Sequence, residues 1–250
     1  MQFIPIKTPV IRQGNFWAIL DKVLSNHNLG RGNILVVASK ALSWQQGDLV
    51  DLGQVKPTTK AKELAKEYGM EPTMVQVIIE EADQIIGGVK GTILTVKNNT
   101  VIANAGVDHS NVPAGKVILW PKKPALAAGQ IKINLQKKFK KKIGVIIADS
   151  HCHPRRLGTS SFALAIAGFE GIIDQRKKID LAGNRLKITF SNLADSLAGG
   201  AGLLLGEAAE KIPFVLIKQA PAKLSDKPAT FLTKKLQIAK RSCLFWQSDL

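Results

Sequence analysis

The chain has 250 residues, is 45% hydrophobic and carries a formal net charge of +16 at pH 7. A folded chain of this length buries roughly 70–75% of the surface that it exposes when unfolded, so a substantial core is expected. Two cysteines do not make a disulfide scaffold. No segment reaches the roughly 20 apolar residues that span a bilayer, and the first residues do not resemble a signal peptide. We expect a cytoplasmic protein that does not use a membrane.

The positive charge favours anionic partners, such as nucleotides, phosphorylated substrates, nucleic acid or anionic membranes. Only seven of the 35 basic residues are arginine. Specific recognition of nucleic acid depends on the bidentate fork of arginine, whereas excess lysine is more typical of a solvated surface. Nucleic acid is therefore not the expected main partner.

The predicted elements are apolar strands and amphipathic helices. In chain order they are helix 16–24, strand 33–39, helices 59–68 and 72–86, strands 92–96, 100–104 and 116–120, helix 126–142, strands 143–148 and 186–191, helix 192–210 and strand 213–217. Strands 92–96 and 100–104 form a predicted hairpin that turns at Lys97, Asn98 and Asn99. Such short spacings indicate sheets that are mixed or largely antiparallel.

The segment ANAGVDHSN, residues 103–111, is polar where a predicted strand ends. Asp108, His109, Ser110 and Asn111 are four consecutive side chains that can ligate a cation or form hydrogen bonds. A turn closed by local side-chain to backbone bonds would use the same residue types. The local sequence leaves both interpretations open.

The segment GVIIADSHCHPRR, residues 144–156, is the densest group of reactive side chains. Asp149 is predicted to end a strand, a usual place to present a carboxylate to a cleft. His151, Cys152 and His153 follow it directly. They are compatible with a metal site, with a nucleophile beside its base, or with a crowded turn.

Two further segments could contact an anion or a cation. Residues 158–161, GTSS, could cradle a phosphate with backbone N–H groups or cap a helix. Glu207 and Glu210 lie at the end of predicted helix 192–210. Carboxylates there oppose the helix dipole and invite a cation, although surface glutamates would look the same.

Several familiar ligand motifs are absent from the sequence. It has no GxxxxGK[ST] phosphate loop and no GxGxxG dinucleotide fingerprint. It has no pair of CxxC motifs, so a structural zinc site is not expected.

Five stretches, taken in their order and spacing, resemble the coenzyme F-420-0:L-glutamate (gamma-glutamyl) ligase family. They are NILVVASKALS, GMEPTMVQVIIEEAD, VIANAGVDHSNVPAGKVILWP, GVIIADS followed by GTSSFALAIAG, and ADSLAGGAGLLLGEAAEKIPFVLI. The resemblance implies an α+β fold with mixed, largely antiparallel sheets and interspersed helices. It implies a homodimer and a ligase-like domain over residues 1–222, which two intertwined lobes could build. Residues 223–250 would form a C-terminal extension, whose ending SCLFWQSDL is apolar enough for a strand or an interface.

Enzymes of this family use GTP to phosphorylate a substrate carboxylate, and the amine of L-glutamate then displaces the phosphate. The resemblance implies such a ligase in coenzyme F420 biosynthesis, acting on a small phosphorylated substrate. GTP would be the co-substrate and Mg²⁺ or Mn²⁺ the cofactor, with K⁺ as a further possible ion. The implied metal ligands are Asp108, Asp149, Ser150 and Glu207, and the implied catalytic residues are Asp149 and Arg156. The implied nucleotide-binding residues are Thr8, Pro9, Val10, Ile11, Ser39, Lys40, Asn111, Leu205, Gly206, Glu207, Ala208, Ala209, Glu210, Lys211 and Ile212.

The chain also departs from the family pattern. His109 replaces a usual acid, and Trp44 stands where a nucleotide-contacting lysine is common. The segment SHCHPRR replaces a TFGRPWR-like segment, so that His153 takes the place of an arginine while Arg156 is kept. This rewriting beside Asp149 predicts a changed phosphate or acceptor pocket.

Three alternatives remain open at this point. The chain could be a diverged binding protein that holds a nucleotide or a phosphorylated ligand without ligation. It could be a basic nucleic-acid-binding protein. Independently of either, His109, His151 and His153 could bind zinc together with Asp149, because imidazole suits softer ions.

Overall fold

The computed structural model describes residues 1–246, which contain both sheets and helices. The strands are β1 Gln2–Ile6, β2 Ile34–Ala38, β3 Leu49–Asp51, β4 Gln84–Val89, β5 Thr92–Lys97, β6 Thr100–Ala103, β7 Lys116–Ile118, β8 Gly144–Cys152, β9 Thr159–Ala167, β10 Ile172–Asp174, β11 Phe190–Asn192 and β12 Phe214–Lys218. The helices are α1 Phe16–Ser25, α2 Ser39–Gln46, α3 Thr59–Tyr68, α4 Pro72–Glu81, α5 Pro124–Phe139, α6 Leu193–Leu205 and α7 Ala229–Lys234.

The largest sheet has five strands in the order β1, β12, β2, β8, β9. Strands β2 and β8 are parallel neighbours, whereas the other adjacent pairs are antiparallel. The central strand β2 reads ILVVA because both of its faces are covered. The predicted α+β class with mixed, largely antiparallel sheets is confirmed.

Helices cover both faces of this sheet. Successive side chains of a strand point to opposite faces. Leu35 and Ile147 therefore pack on the side of α1 and α5, while Val36 and Ile146 pack on the side of α6. The two resulting cores hold the adjacent ends of β2 and β8 in fixed positions.

Residues between β3 and β7 build a further core beside the large sheet. Helices α3 and α4 pack there against the three-stranded sheet β4, β5, β6, around buried residues such as Ile78 and Ile93. The predicted hairpin is present between β5 and β6, and Asn98 and Asn99 adopt positive φ angles of 50° and 59° at its turn. Consecutive left-handed residues match the twist of a tight hairpin.

Several predicted boundaries are wrong, and long-range pairing explains most of them. Predicted helix 72–86 ends at Glu81, because residues 84–89 pair with β5 as β4. Predicted helix 192–210 ends at Leu205, where Gly206 adopts a φ of 73°. Predicted strand 186–191 is reduced to Phe190–Asn192. Helix α2 was not predicted, since it follows β2 without an intervening turn.

The glycines inside α6 are explained by close packing. A Cβ on Gly200 would lie 2.8 Å from Cζ of Phe3, and one on Gly202 would collide with the side chain of Ser161. A larger residue at either position would push α6 away from the sheet. The helix can therefore lie directly against β1 and β9.

The chain beyond residue 222 packs onto the large sheet. Leu232 of α7 is 1% exposed, and its neighbour Thr233 accepts a hydrogen bond of 3.0 Å from the Ile166 N–H of edge strand β9. The division at 222/223 stays a prediction, and the last four residues of SCLFWQSDL lie outside the described residues. No helix within residues 1–246 is both long and apolar enough to cross a membrane.

Candidate active site

A cavity of about 390 Å³ opens beyond the carboxyl end of β2, beside residues Ala148, Asp149 and Ser150 of β8. We call it the inner cavity. The predicted nucleotide-binding and metal-binding residues line it together. They are Thr8, Pro9, Val10, Ile11, Ser39, Lys40, Asp108, Asn111, Asp149, Ser150, Leu205, Gly206, Glu207, Ala208, Ala209, Glu210, Lys211 and Ile212.

Strand pairing explains why distant segments meet there. Ala38 ends β2 and is the register partner of Ala148, where the parallel pairing of β2 with β8 stops although β8 itself continues. Ser39 and Asp149 follow them directly, so both enter the cavity from the same edge. The crevice beyond the carboxyl ends of parallel strands is the usual ligand position in an α/β sheet.

Lys40 and Asp108 form an ion pair inside the cavity. Lys40 Nζ lies 2.6 Å from Asp108 Oδ2 and 2.6 Å from Ser110 Oγ. The Ser110 backbone N–H and hydroxyl also donate to Asp108, at 2.7 and 2.8 Å. Burial acts to raise the pKa of Asp108, but the bonds from Lys40 and Ser110 outweigh it and leave that pKa lowered. Asp108 is therefore an anion at neutral pH.

The pKa of Asp149 is shifted in the opposite direction, upwards. Burial raises the pKa of Asp149 to about 6, even though the Ser150 N–H, the Trp120 and Ser39 side chains and the charge of Lys40 all act to lower it. The Ser150 N–H donates to Asp149 Oδ1 at 2.8 Å. A carboxylate held this way gains stability from a cation that replaces its lost hydration.

The prediction that Asp149 ends its strand is wrong. Strand β8 continues to Cys152, which pairs with Thr159 of β9. The alternative of a helix cap at residues 158–161 is also wrong, because residues 159–161 begin β9, while the phosphate cradle stays a prediction. Of these residues, Ser161 reaches the inner cavity.

Trp120 is a site residue that the sequence analysis missed. It is 5% exposed, and its buried Nε1–H makes no hydrogen bond of ordinary geometry within residues 1–246 but lies close enough to Asp149 to act on the pKa of that carboxyl. Gly106 lies flat against the indole with a φ of 74°, and a Cβ there would lie 2.5 Å from Trp120 Cδ1. No local pattern marks this approach, since it joins residues 14 positions apart.

The chain between α6 and β12 forms one wall of the inner cavity. Asn111 Nδ2 donates to the Ala208 carbonyl at 3.0 Å, and the Thr8 N–H donates to the Lys211 carbonyl at 2.9 Å. Glu207 accepts a bond of 3.3 Å from the Thr159 hydroxyl. The wall is thus tied to three other segments that contribute to the cavity.

Comparison with known proteins shows the family of this chain. The family profile described as F420-0:gamma-glutamyl ligase matches residues 5–219. A protein of Methanocaldococcus jannaschii named coenzyme F420:L-glutamate ligase is 36% identical over 221 residues, which cover 88% of each chain. A protein of the same name from Methanococcus maripaludis is 34% identical over 236 residues, which cover 94% of each chain. One from Methanopyrus kandleri is 36% identical over 201 residues, which cover 80% of each.

The chain belongs to the F420-0:gamma-glutamyl ligase family. The four predicted metal ligands of this ligase-family chain all line the same cavity. They offer the carboxylate oxygens of Asp108, Asp149 and Glu207 and the hydroxyl oxygen of Ser150. Oxygen donors suit Mg²⁺ and Mn²⁺. Over residues 1–246, however, no three His, Cys, Asp or Glu side chains are gathered as a ready-made metal site.

The histidines of this ligase-family chain form a pair without a third ligand. The rings of His151 and His153 are 4.4 Å apart between centroids, and His153 Nε2 lies 2.6 Å from Ser160 Oγ. His109 is exposed, and the described part of the chain contains no His, Cys, Asp or Glu cluster that could complete a zinc site. The structure therefore gives the zinc hypothesis no support.

Arg156 is not brought to the inner cavity. It is exposed in the turn between β8 and β9, where its N–H donates to the His153 carbonyl at 3.2 Å. The cations that line the cavity are Lys40 and Lys211. A catalytic role for Arg156 stays a prediction that the geometry of one chain does not support.

Proposed function

We propose that this protein is a nucleotide- and divalent-metal-dependent ligase that joins a carboxylate to the amine of L-glutamate. The carboxylate would be activated as an acyl phosphate, with GTP as the phosphate donor and a homodimer as the working form. One observation carries the proposal: a chain of this family gathers Lys40, Asp108, Asp149 and the 205–212 wall in a single cavity. The named activity of its relatives, coenzyme F420:L-glutamate ligase, supports it.

The proposed reaction has two steps. A carboxylate oxygen of the acyl substrate attacks the γ-phosphorus of GTP, the bond to the β-phosphate oxygen breaks, and GDP leaves. The amine nitrogen of glutamate then attacks the acyl carbon, inorganic phosphate leaves, and the nitrogen proton passes to solvent or a base. Phosphorylation is needed because a free carboxylate is a poor acyl donor at neutral pH.

The lysines and the carboxylates of the inner cavity would divide the work of holding the triphosphate. Lys40 is already fixed by Asp108 and Ser110, so its ammonium group can meet a phosphate with little loss of side-chain freedom. Lys211 is held through its carbonyl by Thr8. Both cations would bind phosphate oxygens as point charges.

The donor set fits Mg²⁺ or Mn²⁺ because Asp108, Asp149, Ser150 and Glu207 all offer oxygen. Since these side chains are not gathered into a finished cluster, the phosphates and waters would complete the coordination, as is usual for Mg²⁺. Such a cation supplies charge neutralisation between phosphate oxygens. K⁺ is a further candidate ion for the same anionic site.

A second candidate function is ligand binding without turnover. It is favoured by Trp44, which lines the inner cavity where the family commonly has lysine, and by the position of Arg156 outside that cavity. A protein of this kind would bind GTP and release no phosphate. The two functions therefore make opposite predictions for one assay.

The deciding assay measures phosphate release from GTP by the purified protein with F420-0, Mg²⁺ or Mn²⁺, and L-glutamate. The ligase predicts phosphate release that requires glutamate and that equals the amount of glutamylated product seen by mass spectrometry. Tight GTP binding with no phosphate release would favour the binding protein. Absence of both binding and release with every acid tested would reject the ligase.

A further inference from the structure

The indole N–H of Trp120 is a buried donor that lacks an acceptor. Its Nε1–H meets no acceptor at ordinary hydrogen-bond geometry within residues 1–246, although the side chain is almost fully buried. A buried tryptophan N–H usually has a partner, and leaving such a group unsatisfied costs about 1–3 kcal/mol. An unsatisfied group that a fold retains needs a reason, and a role in the site is one of the usual reasons.

Packing holds the Trp120 ring in one position. Gly106 lies so close to the N–H edge of the ring that a Cβ there would be 2.4 Å from Nε1. The Phe162 ring lies 6.3 Å away between centroids, and Lys97 Nζ lies 5.8 Å from the Trp120 ring centroid. Lys97 is itself buried and paired with Glu81. The direction of the N–H is therefore set by the folded chain and does not depend on a ligand.

The Trp120 N–H lies beside the carboxyl group of Asp149. Asp149 and Phe162 are direct partners on β8 and β9, so their side chains lie on one face of that strand pair. Phe162 and Trp120 belong to the core on that face, and the indole is close enough to act on Asp149 as a hydrogen-bond donor. The Ser150 N–H already donates to Asp149 Oδ1 at 2.8 Å. The second oxygen, Oδ2, can therefore accept from Trp120 without displacing that bond.

Asp149 needs a second donor if it is to present one oxygen to a cation. Carboxylates that bind metals are usually hydrogen-bonded in turn, and the loss of such a partner typically lowers metal affinity or activity by about 10- to 100-fold. The nearby ammonium group of Lys40 is already engaged by Asp108 and Ser110, at 2.6 Å each. Trp120 is thus the donor left to orient Asp149.

We propose that Trp120 is a positioning residue whose Nε1–H donates to Asp149 when that carboxylate holds a divalent cation, so that the bond fixes which carboxylate oxygen faces the phosphates. The unsatisfied N–H of the ligand-free chain keeps this donor ready. The inference rests on the proposed metal-dependent function. Trp120 does not line the inner cavity, so it acts through Asp149 and touches neither nucleotide nor metal.

The first test follows the indole N–H by NMR in the intact chain labelled with ¹⁵N at tryptophan. The chain has four tryptophans, and single Trp→Phe variants assign their indole signals. Trp44 lines the inner cavity, so its signal reports that ligand is bound. We expect GTP with Mg²⁺ to move the Trp120 proton signal downfield, as a new hydrogen bond does, and GTP in EDTA to leave it in place. A Trp44 signal that moves with Mg²⁺ and GTP while the Trp120 signal stays would overturn the inference.

The second test removes the N–H but keeps an aromatic ring. Trp120→Phe does this beside Asp149, and Trp17→Phe makes the same change at a residue that packs on the same core without lining the inner cavity. Calorimetry measures the affinity for GTP with Mn²⁺ and for GTP in EDTA. Kinetics measure the KM for Mg²⁺ and for glutamate.

We expect Trp120→Phe to weaken the binding of GTP with Mn²⁺ and to raise the KM for Mg²⁺ by roughly tenfold or more, with GTP affinity in EDTA and the KM for glutamate within about twofold. Trp17→Phe should leave all four values near those of the unchanged protein. Equal losses with and without metal in Trp120→Phe would show a packing effect and overturn the positioning role. If Trp120→Phe does not fold, the NMR comparison decides.

The same measurements separate this inference from the ligase function. An unchanged protein that binds GTP with Mg²⁺ but releases no phosphate in the presence of glutamate would overturn the ligase function. The NMR signal of Trp120 would still show whether its N–H bonds to Asp149 when metal is bound.

Discussion

Asp149 and Phe162 are register partners across β8 and β9, and the Phe162 ring lies 6.3 Å from that of Trp120 between centroids. Asp149 lines the inner cavity with Lys40 and the 205–212 wall, and Phe162 is buried behind it. The strand pair therefore fixes Asp149 against the core of the large sheet.

The raised pKa of Asp149 predicts a stability penalty in the ligand-free protein. Burial holds the pKa at about 6, above the ordinary value of 3.8, so the folded state loses stability as the pH rises from the ordinary pKa to the folded one and keeps this penalty at higher pH. Asp149→Asn should therefore stabilise the ligand-free protein near pH 7.5 by up to about 3 kcal/mol, since each pKa unit corresponds to about 1.4 kcal/mol. Thermal melts between pH 4 and pH 8 measure this effect.

The gain should shrink as the pH falls from about 6 to about 4, because Asp149 becomes protonated in both states of the unchanged protein. Adding GTP with Mg²⁺ should reverse the ranking. The unchanged protein should gain stability by ligand binding, and Asp149→Asn should gain much less. A variant that is less stable than the unchanged protein without ligand at pH 7.5 would contradict the proposed burial penalty.

Removal of the Lys40 charge should weaken nucleotide binding more than it weakens the fold. Lys40→Met should lower GTP affinity by roughly 10- to 100-fold, since charge-assisted hydrogen bonds contribute about 1.5–3 kcal/mol. The free energy of unfolding should change by at most about 1 kcal/mol, because Lys40 and Asp108 are both partly exposed. Calorimetric titration and thermal melts measure the two effects.

Lys138→Met is the matched control for Lys40→Met. Lys138 pairs with Asp21 at 3.0 Å with similar exposure of both side chains, and neither residue lines the inner cavity. The GTP affinity of Lys138→Met should stay within twofold of that of the unchanged protein. Equal losses of affinity in both variants would mean that general charge, and not the position of Lys40, governs binding.

Gly106 should be required for the position of Trp120. Gly106→Ala places a Cβ against the indole, which adds roughly 1–3 kcal/mol of overpacking to the strain of a positive φ. The Tm should fall further than in Gly115→Ala, whose φ of 76° is nearly the same but whose Cβ would meet no atom within 4 Å. The kcat of the ligation should also fall, because Trp120 contacts the surroundings of Asp149.

If Gly106→Ala and Gly115→Ala lose the same stability and activity, backbone strain explains both and the indole has no positioning role. A larger loss in Gly106→Ala with an unchanged pH profile would show a packing effect only. We expect the pH profile of Gly106→Ala to shift, because the Trp120 side chain acts to lower the pKa of Asp149.

Trp44 should contribute to binding the base of the nucleotide. Its ring lines the inner cavity and the Arg12 guanidinium carbon lies 5.5 Å from the ring centroid. Trp44→Leu should weaken GTP binding by about 5- to 100-fold, since stacking of a base on an aromatic side chain contributes about 1–3 kcal/mol. Binding of inorganic triphosphate, which has no base, should be unchanged, and an equal loss for both ligands would contradict stacking.

Parts of the fold could be predicted because local signals and burial agree. Helix α3 begins where the Thr58 side chain accepts from the Ala61 N–H and ends at Gly69 with a φ of 63°, both of which are ordinary cap signals. Strand β2 is a continuous apolar run. In such segments the local preference and the tertiary contacts point to the same structure.

The remainder depends on pairing that no local pattern reveals. The residues DSHC lack strand character, yet they extend β8 because residues 159–162 pair with them across the hairpin. The local segments already marked Asp108, Asp149 and Glu207 as candidates, and the family resemblance joined them into one site, whereas Trp120 looked like an ordinary end of an apolar strand. Its role depends on the approach of Gly106, which only the folded chain creates.

The central claim is that a carboxylate is activated by phosphate before the amide forms. The most direct test supplies F420-0 labelled with ¹⁸O in its carboxylate, together with GTP, Mg²⁺ and L-glutamate, and measures the released phosphate by mass spectrometry. The account predicts one ¹⁸O atom in each phosphate and one glutamate added per phosphate released. Unlabelled phosphate would show that water attacks GTP directly, and would contradict the acyl-phosphate route.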